Sequence, residues 1–139
     1  MRTIIRALLL TVMSLTTFAA DSNKTHKVLF EFTSPGKEPS TAVLNNIENV
    51  RKTLGAGTQV ILVAHGPGIA LLQKAGNDSV EQLCKLSDSG VVLAACENTM
   101  KRKNLTKADL VDFSTTVDSG VAEVVRRQEA GWSYVKSGH

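Results

Sequence analysis

Apolar positions recur along this chain in two alternating rhythms. Lys27 to Thr33 reads as a strand, with Val28, Leu29, Phe30 and Phe32 apolar, and Ser34-Pro35-Gly36 breaks it. From Ser40 to Leu54 the apolar residues Val43, Leu44, Ile47, Val50 and Leu54 fall on one face at helical spacing, and Gly55 and Gly57 suit the exit. Gln59 to Ala64 is apolar on both faces, the pattern of a parallel strand covered on both sides. It runs into the tight loop His65-Gly66-Pro67-Gly68 and a short apolar turn, Ile69 to Leu72.

The same alternation continues. Asp78 and Glu81 have the spacing of a capping box, and the helix behind them is expected to turn Val80, Leu83 and Cys84 inward. Ser89-Gly90 leads to a third strand, Val91 to Ala95, then a helical stretch from Glu97 to Lys103. Thr106 and Asp109 suit the cap of a short turn, and Phe113 to Val117 is a Thr-rich strand. Asp118 or Ser119 caps a last helix with Val121, Val124 and Val125 inward; Gly131 stops it, and Ser133 to Lys136 reads as an edge strand. Strands and helices alternating at this spacing predict right-handed βαβ units. The expected architecture is a flavodoxin-like three-layer sandwich of about five mostly parallel strands. Its ligand crevice belongs beyond the carboxyl ends of the strands, at 33–36, 65–68 and 96–99.

The first twenty residues follow neither rhythm. Arg2 and Arg6 precede an apolar stretch from Ala7 to Leu15, and Phe18-Ala19-Ala20 ends in small residues, as in a secretory signal. The stretch is short for a membrane span. Cleavage after Ala20 would leave 119 residues, 21–139, as a single domain. Without Arg2 and Arg6 the 16 basic residues become 14 against 13 acidic ones, a net charge of +1, which gives no ground for nucleic-acid binding. The expected product is soluble and periplasmic or secreted, with no membrane attachment after cleavage.

Candidate chemistry centres on Cys96. A thiol at a strand exit, facing the positive end of the next helix, favours the thiolate. Asn98 and Thr99 offer side chains and main-chain amides, Lys101-Arg102-Lys103 adds positive potential, and Glu97 opposes. His65 either exchanges a proton with the thiol or orients a sulfur-bearing partner, or it merely ties down its own loop. Gly66, Gly68, Asn98 and Thr99 are the candidate binding residues. Cys84 is expected to be structural. A five-residue strand of about 17 Å separates Cys96 from the bottom of the sheet, where the Cys84 helix ends. A disulfide needs Cα atoms within about 7 Å. No CxxC pair, HExxH, dinucleotide fingerprint or nucleophile elbow is present, so no metal or organic cofactor is expected.

At these residues the chain resembles the DsrE/DsrF-like family of small sulfur-relay proteins. The resemblance is carried by 60–68, by 86–91, by Ala95-Cys96-Glu97-Asn98-Thr99-Met100, and by Ser119-Gly120-Val121 through Gln128, Gly131 and Tyr134. It implies a flavodoxin-like fold, a homo-oligomer (trimer or hexamer), and a cysteine, here Cys96, that carries sulfur as a persulfide between a donor and an acceptor protein, small thiol or anion. The alternative is a non-catalytic module of a homo-oligomer, binding a small ligand, anion or metal. A third is a subunit that works through assembly, with Pro67 to Leu72 covering a neighbour.

Overall fold

The computed structural model describes residues 25–138; the segment read as a secretory signal lies outside the described residues. Five strands form one sheet: β1 (Lys27–Phe32), β2 (Gln59–Ala64), β3 (Val92–Cys96), β4 (Thr115–Val117) and β5 (Ser133–Ser137). Four α-helices connect them: α1 (Lys37–Leu54), α2 (Val80–Asp88), α3 (Glu97–Arg102) and α4 (Gly120–Glu129), with 3₁₀ turns at Gly66–Leu72 and Lys107–Asp109. The strand order is β4-β3-β2-β1-β5 and every pairing is parallel. This is the expected three-layer, flavodoxin-like arrangement.

The order explains the layers. From β1 to β4 each crossover steps to the next neighbour, and α4 then carries the chain back across the sheet to place β5 beside β1. Right-handed connections running in opposite directions put their helices on opposite faces. The larger core lies on one face, where Val43, Leu44 and Ile47 of α1 and Leu83 and Leu86 of α2 meet Phe30, Phe32, Leu62 and Leu93. Among the described residues the other face has only α4, and its core is small: Leu29, Ile61, Val63, Ala94 and Val124, with Val117 and Trp132 packed against it. Each fully buried aliphatic or aromatic side chain contributes about 1.5–3 kcal/mol, so the sheet is anchored chiefly from the α1/α2 side.

Local chemistry moves several boundaries. Helix α1 starts at Lys37 rather than Ser40, because Pro39 lies in the first turn, where a missing N–H costs nothing; Ser40 Oγ donates to Gly36 O at 2.7 Å. The Asp78–Glu81 capping box does not form. Asp78 pairs with Lys37 at 3.0 Å and Glu81 with Lys85 at 2.6 Å, while Asn77 Oδ1 accepts from Ser79 N. With Val80 the first helical residue, the buried face of α2 runs through Leu83 and Leu86; Val80 is exposed and Cys84 only half-buried. In α4 the inward residues are Gly120, Glu123 and Val124, while Val121 and Val125, expected inside, are 60% and 49% exposed. Glu123 stays inward by pairing with Arg126 and Arg127. The segment Pro67 to Leu72 covers its own sheet: Ile69, Leu71 and Leu72 join the larger core.

Gly68 shows how tightly that turn is seated. A Cβ there would lie 2.7 Å from the carbonyl carbon of Phe32 and 2.8 Å from Cα of Thr33. Backbone cannot swing aside as a side chain can, so Gly68→Ala is expected to destabilise the protein by about 1–3 kcal/mol, read as a lower denaturation midpoint; an unchanged midpoint would contradict this packing.

Candidate functional site

Parallel register brings the ends of the central strands together. Ala64 pairs with Ala95, so His65 and Cys96 leave β2 and β3 side by side, and Cys96 pairs with Val117 at the end of β4. Cys96 ends β3 and is also the N-cap of α3. Its neighbour Ala95 points into the larger core, so alternation turns the Cys96 side chain toward α4.

The sulfur sits in a cradle of donors. Gly120, the first residue of α4, directs its N–H at Cys96 Sγ, 3.2 Å away. The main-chain N–H groups of Asn98 and Thr99 and the Thr99 hydroxyl complete it. Thr99 is oriented for this. Its Oγ1 accepts from Gly66 N at 3.0 Å and from Arg102 Nη2 at 3.3 Å. A hydroxyl has two lone pairs and one hydrogen, so the hydrogen is left for the sulfur. Gly66 reaches Thr99 from a left-handed conformation, φ +54°, which glycine adopts without penalty.

Burial acts to raise the Cys96 pKa, but the hydrogen bonds from the Thr99 hydroxyl and from Gly120, Thr99 and Asn98 N–H outweigh it, and the thiol is held below its ordinary value. The opposition expected from Glu97 is averted. Its carboxylate accepts from Thr116 Oγ1 at 2.8 Å. Thr116 is the register partner of Ala95, so that carboxylate is drawn to the sheet face away from the thiol. Both cysteines are free thiols. The thiol is on the rim of the sheet but not open to solvent: Cys96 is only 4% exposed, beneath the first turn of α4.

His65 lies where the strand order puts it but forms no hydrogen bond to Cys96. Its Nε2 faces Glu31 Oε1 of β1 at 2.7 Å, and its ring rests on Gly120. Among the sequence-derived binding candidates, Asn98 and Thr99 meet the thiol and Gly66 bonds Thr99, whereas Gly68 is packed against β1. Lys101 and Lys103 are exposed, and Arg102 reaches Thr99. Gly120, Glu31 and Tyr134 are not among the site residues read from the sequence, although Gly120 and Tyr134 fall in the stretch that carries the family resemblance. The signal for Gly120 was present, since Ser119-Gly120 opens a helix, but only the strand order shows which strand that helix crosses. Among the described residues, no group of three or more His, Cys, Asp or Glu side chains is placed to hold a metal ion, and no helix is long and apolar enough to cross a membrane.

Comparison with known proteins assigns the lineage. A family model described as DsrE/DsrF-like matches residues 26–136. The chain belongs to the DsrE/DsrF-like family. Among solved structures it is similar to the protein of unknown function MTH1491 from Methanobacterium thermoautotrophicum, with TM-score 0.76, 26% identity, and coverage of 80% of this chain and 98% of that one. It also shares its fold with the ychN protein of E. coli (TM-score 0.66, 12% identity, 81% and 99% coverage). The conserved protein of unknown function BT1422 from Bacteroides thetaiotaomicron gives TM-score 0.62 and 13% identity over 79% and 93%. No curated protein matches the chain. Family membership suggests a part in sulfur relay.

The lowered thiol has a thermodynamic signature. Where the unfolded chain binds the proton more tightly than the native one, stability rises with pH. The Cys96 contribution is therefore complete above the unfolded value of about 8.5 and is lost as pH falls through the native value. The stability gap between wild type and Cys96→Ser is expected to shrink as pH is lowered from about 8.5. Denaturant unfolding across that window checks it, and a gap independent of pH would contradict a stabilised thiolate.

Proposed function

We propose that this DsrE-family protein is a sulfur carrier or sulfurtransferase that holds sulfane sulfur as a persulfide on Cys96. The observation that supports this is the donor cradle around Sγ, formed by Gly120 N–H at 3.2 Å, the Thr99 hydroxyl and the first amides of α3. In the loading step the thiolate pair forms an S–S bond to the donor's sulfane sulfur. The donor's own bond to that sulfur breaks, and its electron pair leaves with the donor, as sulfite leaves thiosulfate. Atoms and charge balance with no external oxidant. In the unloading step an acceptor thiolate attacks the outer sulfur and Cys96 departs as thiolate. The groups that favour ionisation in the first step also make it a competent leaving group in the second. The first turn of α4 is the element that must yield to admit donor and acceptor.

The same reading places the protein outside the cytoplasm, on the strength of the segment 1–20, and as a homo-oligomer. Support for assembly is the exposed pair Val121 and Val125 on α4, which among the described residues is the single helix covering that sheet face. Light scattering is expected to give a mass of three or more subunits, and a monomer at high concentration would remove that part of the proposal. The alternative, a module that binds a small ligand, is favoured by one feature: a cleft of about 220 Å³ between the starts of α1 and α2, lined by Gly36, Lys37, Ser40, Asn77 and Ser79.

Treatment with thiosulfate or polysulfide followed by intact mass spectrometry is the decisive measurement. Wild type is expected to gain the mass of one sulfur atom, removable by a small thiol, and Cys96→Ser to gain none. Equal gain on both, or none on wild type, would sink the persulfide reading.

A further inference from the structure

Next to the thiol, the α4 face of the sheet carries a polar chain embedded among apolar residues. Glu31 lies in β1, between β2 and β5, and its side chain is 15% exposed; that of His65 is 17% exposed. The surrounding positions on this face are Leu29, Ile61, Val63 and Val124. A carboxylate in such a layer is costly unless it is fully partnered. Glu31 is: Oε1 meets His65 Nε2 at 2.7 Å, and Oε2 accepts from the hydroxyl of Tyr134 on β5. Lys136, its register partner, adds attraction. Burial acts to raise the Glu31 pKa, but these bonds and the nearby positive charge outweigh it, and the carboxyl is held below its usual range. An ionised carboxylate only accepts hydrogen bonds. His65 Nε2 therefore carries hydrogen, and the rotation of its ring is fixed from β1.

The fixed ring is one jaw of a clamp. A Cβ on Gly120 would lie 2.9 Å from His65 Cβ and 3.0 Å from Cγ and Cδ2, so the imidazole bears directly on the Gly120 backbone. From that backbone the N–H points at Cys96 Sγ. Tyr134, Glu31, His65, Gly120 and Cys96 thus form one continuous line of contacts from the β5 edge to the thiol. We propose that Glu31 and Tyr134 are positioning residues, acting through His65 to hold the first amide of α4 on the Cys96 sulfur. The inference deepens the persulfide reading by naming what keeps its thiolate cradle assembled. The other charged groups packed around the thiol are engaged elsewhere. Glu97 bonds Thr116, Asp118 bonds Arg126, and Glu123 bonds Arg126 and Arg127. Arg102 acts through Thr99.

The test uses Cys84→Ala as background, so that Cys96 is the single thiol, and compares Tyr134→Phe and Glu31→Gln with it. The primary reading is the pH midpoint of Cys96 alkylation by iodoacetamide, taken apart from the plateau rate at high pH. Loss of the clamp is expected to raise the midpoint by roughly 0.3–1 pH unit, a twofold to tenfold lower rate below the midpoint. A faster plateau with an unmoved midpoint would mean only loosened packing and would overturn the proposal, as would an unmoved midpoint and plateau. Tyr134→Phe removes one atom at a position 39% exposed, so it decides the matter if Glu31→Gln does not fold. The chain has one tyrosine, and its hydroxyl is pushed up to about 12, by the Glu31 hydrogen bond first, then by burial. Tyrosinate absorbance should titrate there in the background protein and at lower pH, toward the ordinary value of about 10, in Glu31→Gln; the same midpoint in both would also overturn the proposal. Sulfur uptake on wild type is scored separately. Uptake with unmoved midpoints defeats the clamp alone, and moved midpoints without uptake defeat the sulfur reading alone.

Discussion

A single amide, that of Gly120, joins the two parts of the molecule that matter for chemistry. Its N–H reaches the sulfur of Cys96 at 3.2 Å, linking the start of α4 to the end of β3. The contact exists because the chain turns back after β4: the crossover to β5 must pass over β3, β2 and β1, and it enters above Cys96. A sulfur bonded only by the short α3 would face one helix end. Here it faces two, and the second is part of a ten-residue helix. Helix ends present unpaired N–H groups and partial positive charge, so two of them outweigh the burial that acts to raise the thiol pKa.

Electrostatics and packing are arranged on opposite sides of the sheet. The larger core lies under α1 and α2, where apolar residues fill the face with little polar content. Polar chemistry collects on the α4 side, where the apolar cluster is small and Glu31, His65 and Glu123 all sit inward. Glu97, the one carboxylate adjacent to the thiol in sequence, is held on the other side by Thr116. The sheet itself thus separates the unfavourable charge from the sulfur.

The chain's pattern made the architecture readable, because buried parallel strands and one-sided helices leave opposite periodicities. The strand Gln59 to Ala64 matches its observed bounds, and the Thr106–Asp109 cap forms. The position of Cys96 at a strand-to-helix junction was readable for the same reason. Phases of the short helices were not. In α2 the N-cap is Ser79 rather than Asp78, and Val80 and Cys84 lie off the buried face formed by Leu83 and Leu86. In α4 the charged Glu123 takes an inward place that pattern alone assigns to valine, because two arginines on the same helix satisfy it. Nor does a linear reading join Glu31 to Tyr134, which lie 103 positions apart and meet because β5 pairs with β1.

The two ends of α4 are held by different means. Near its C-terminus Arg127 stacks 4.8 Å from the centroid of the Trp132 ring, Val124 is buried, and Trp132 N–H closes on Arg127 O. At the other end Val121 stands in solvent, and the backbone rests on an imidazole and a sulfur. The seat at the glycine therefore tightens or slackens with the charge on the sulfur, whereas the grip on the indole at the far end is indifferent to it.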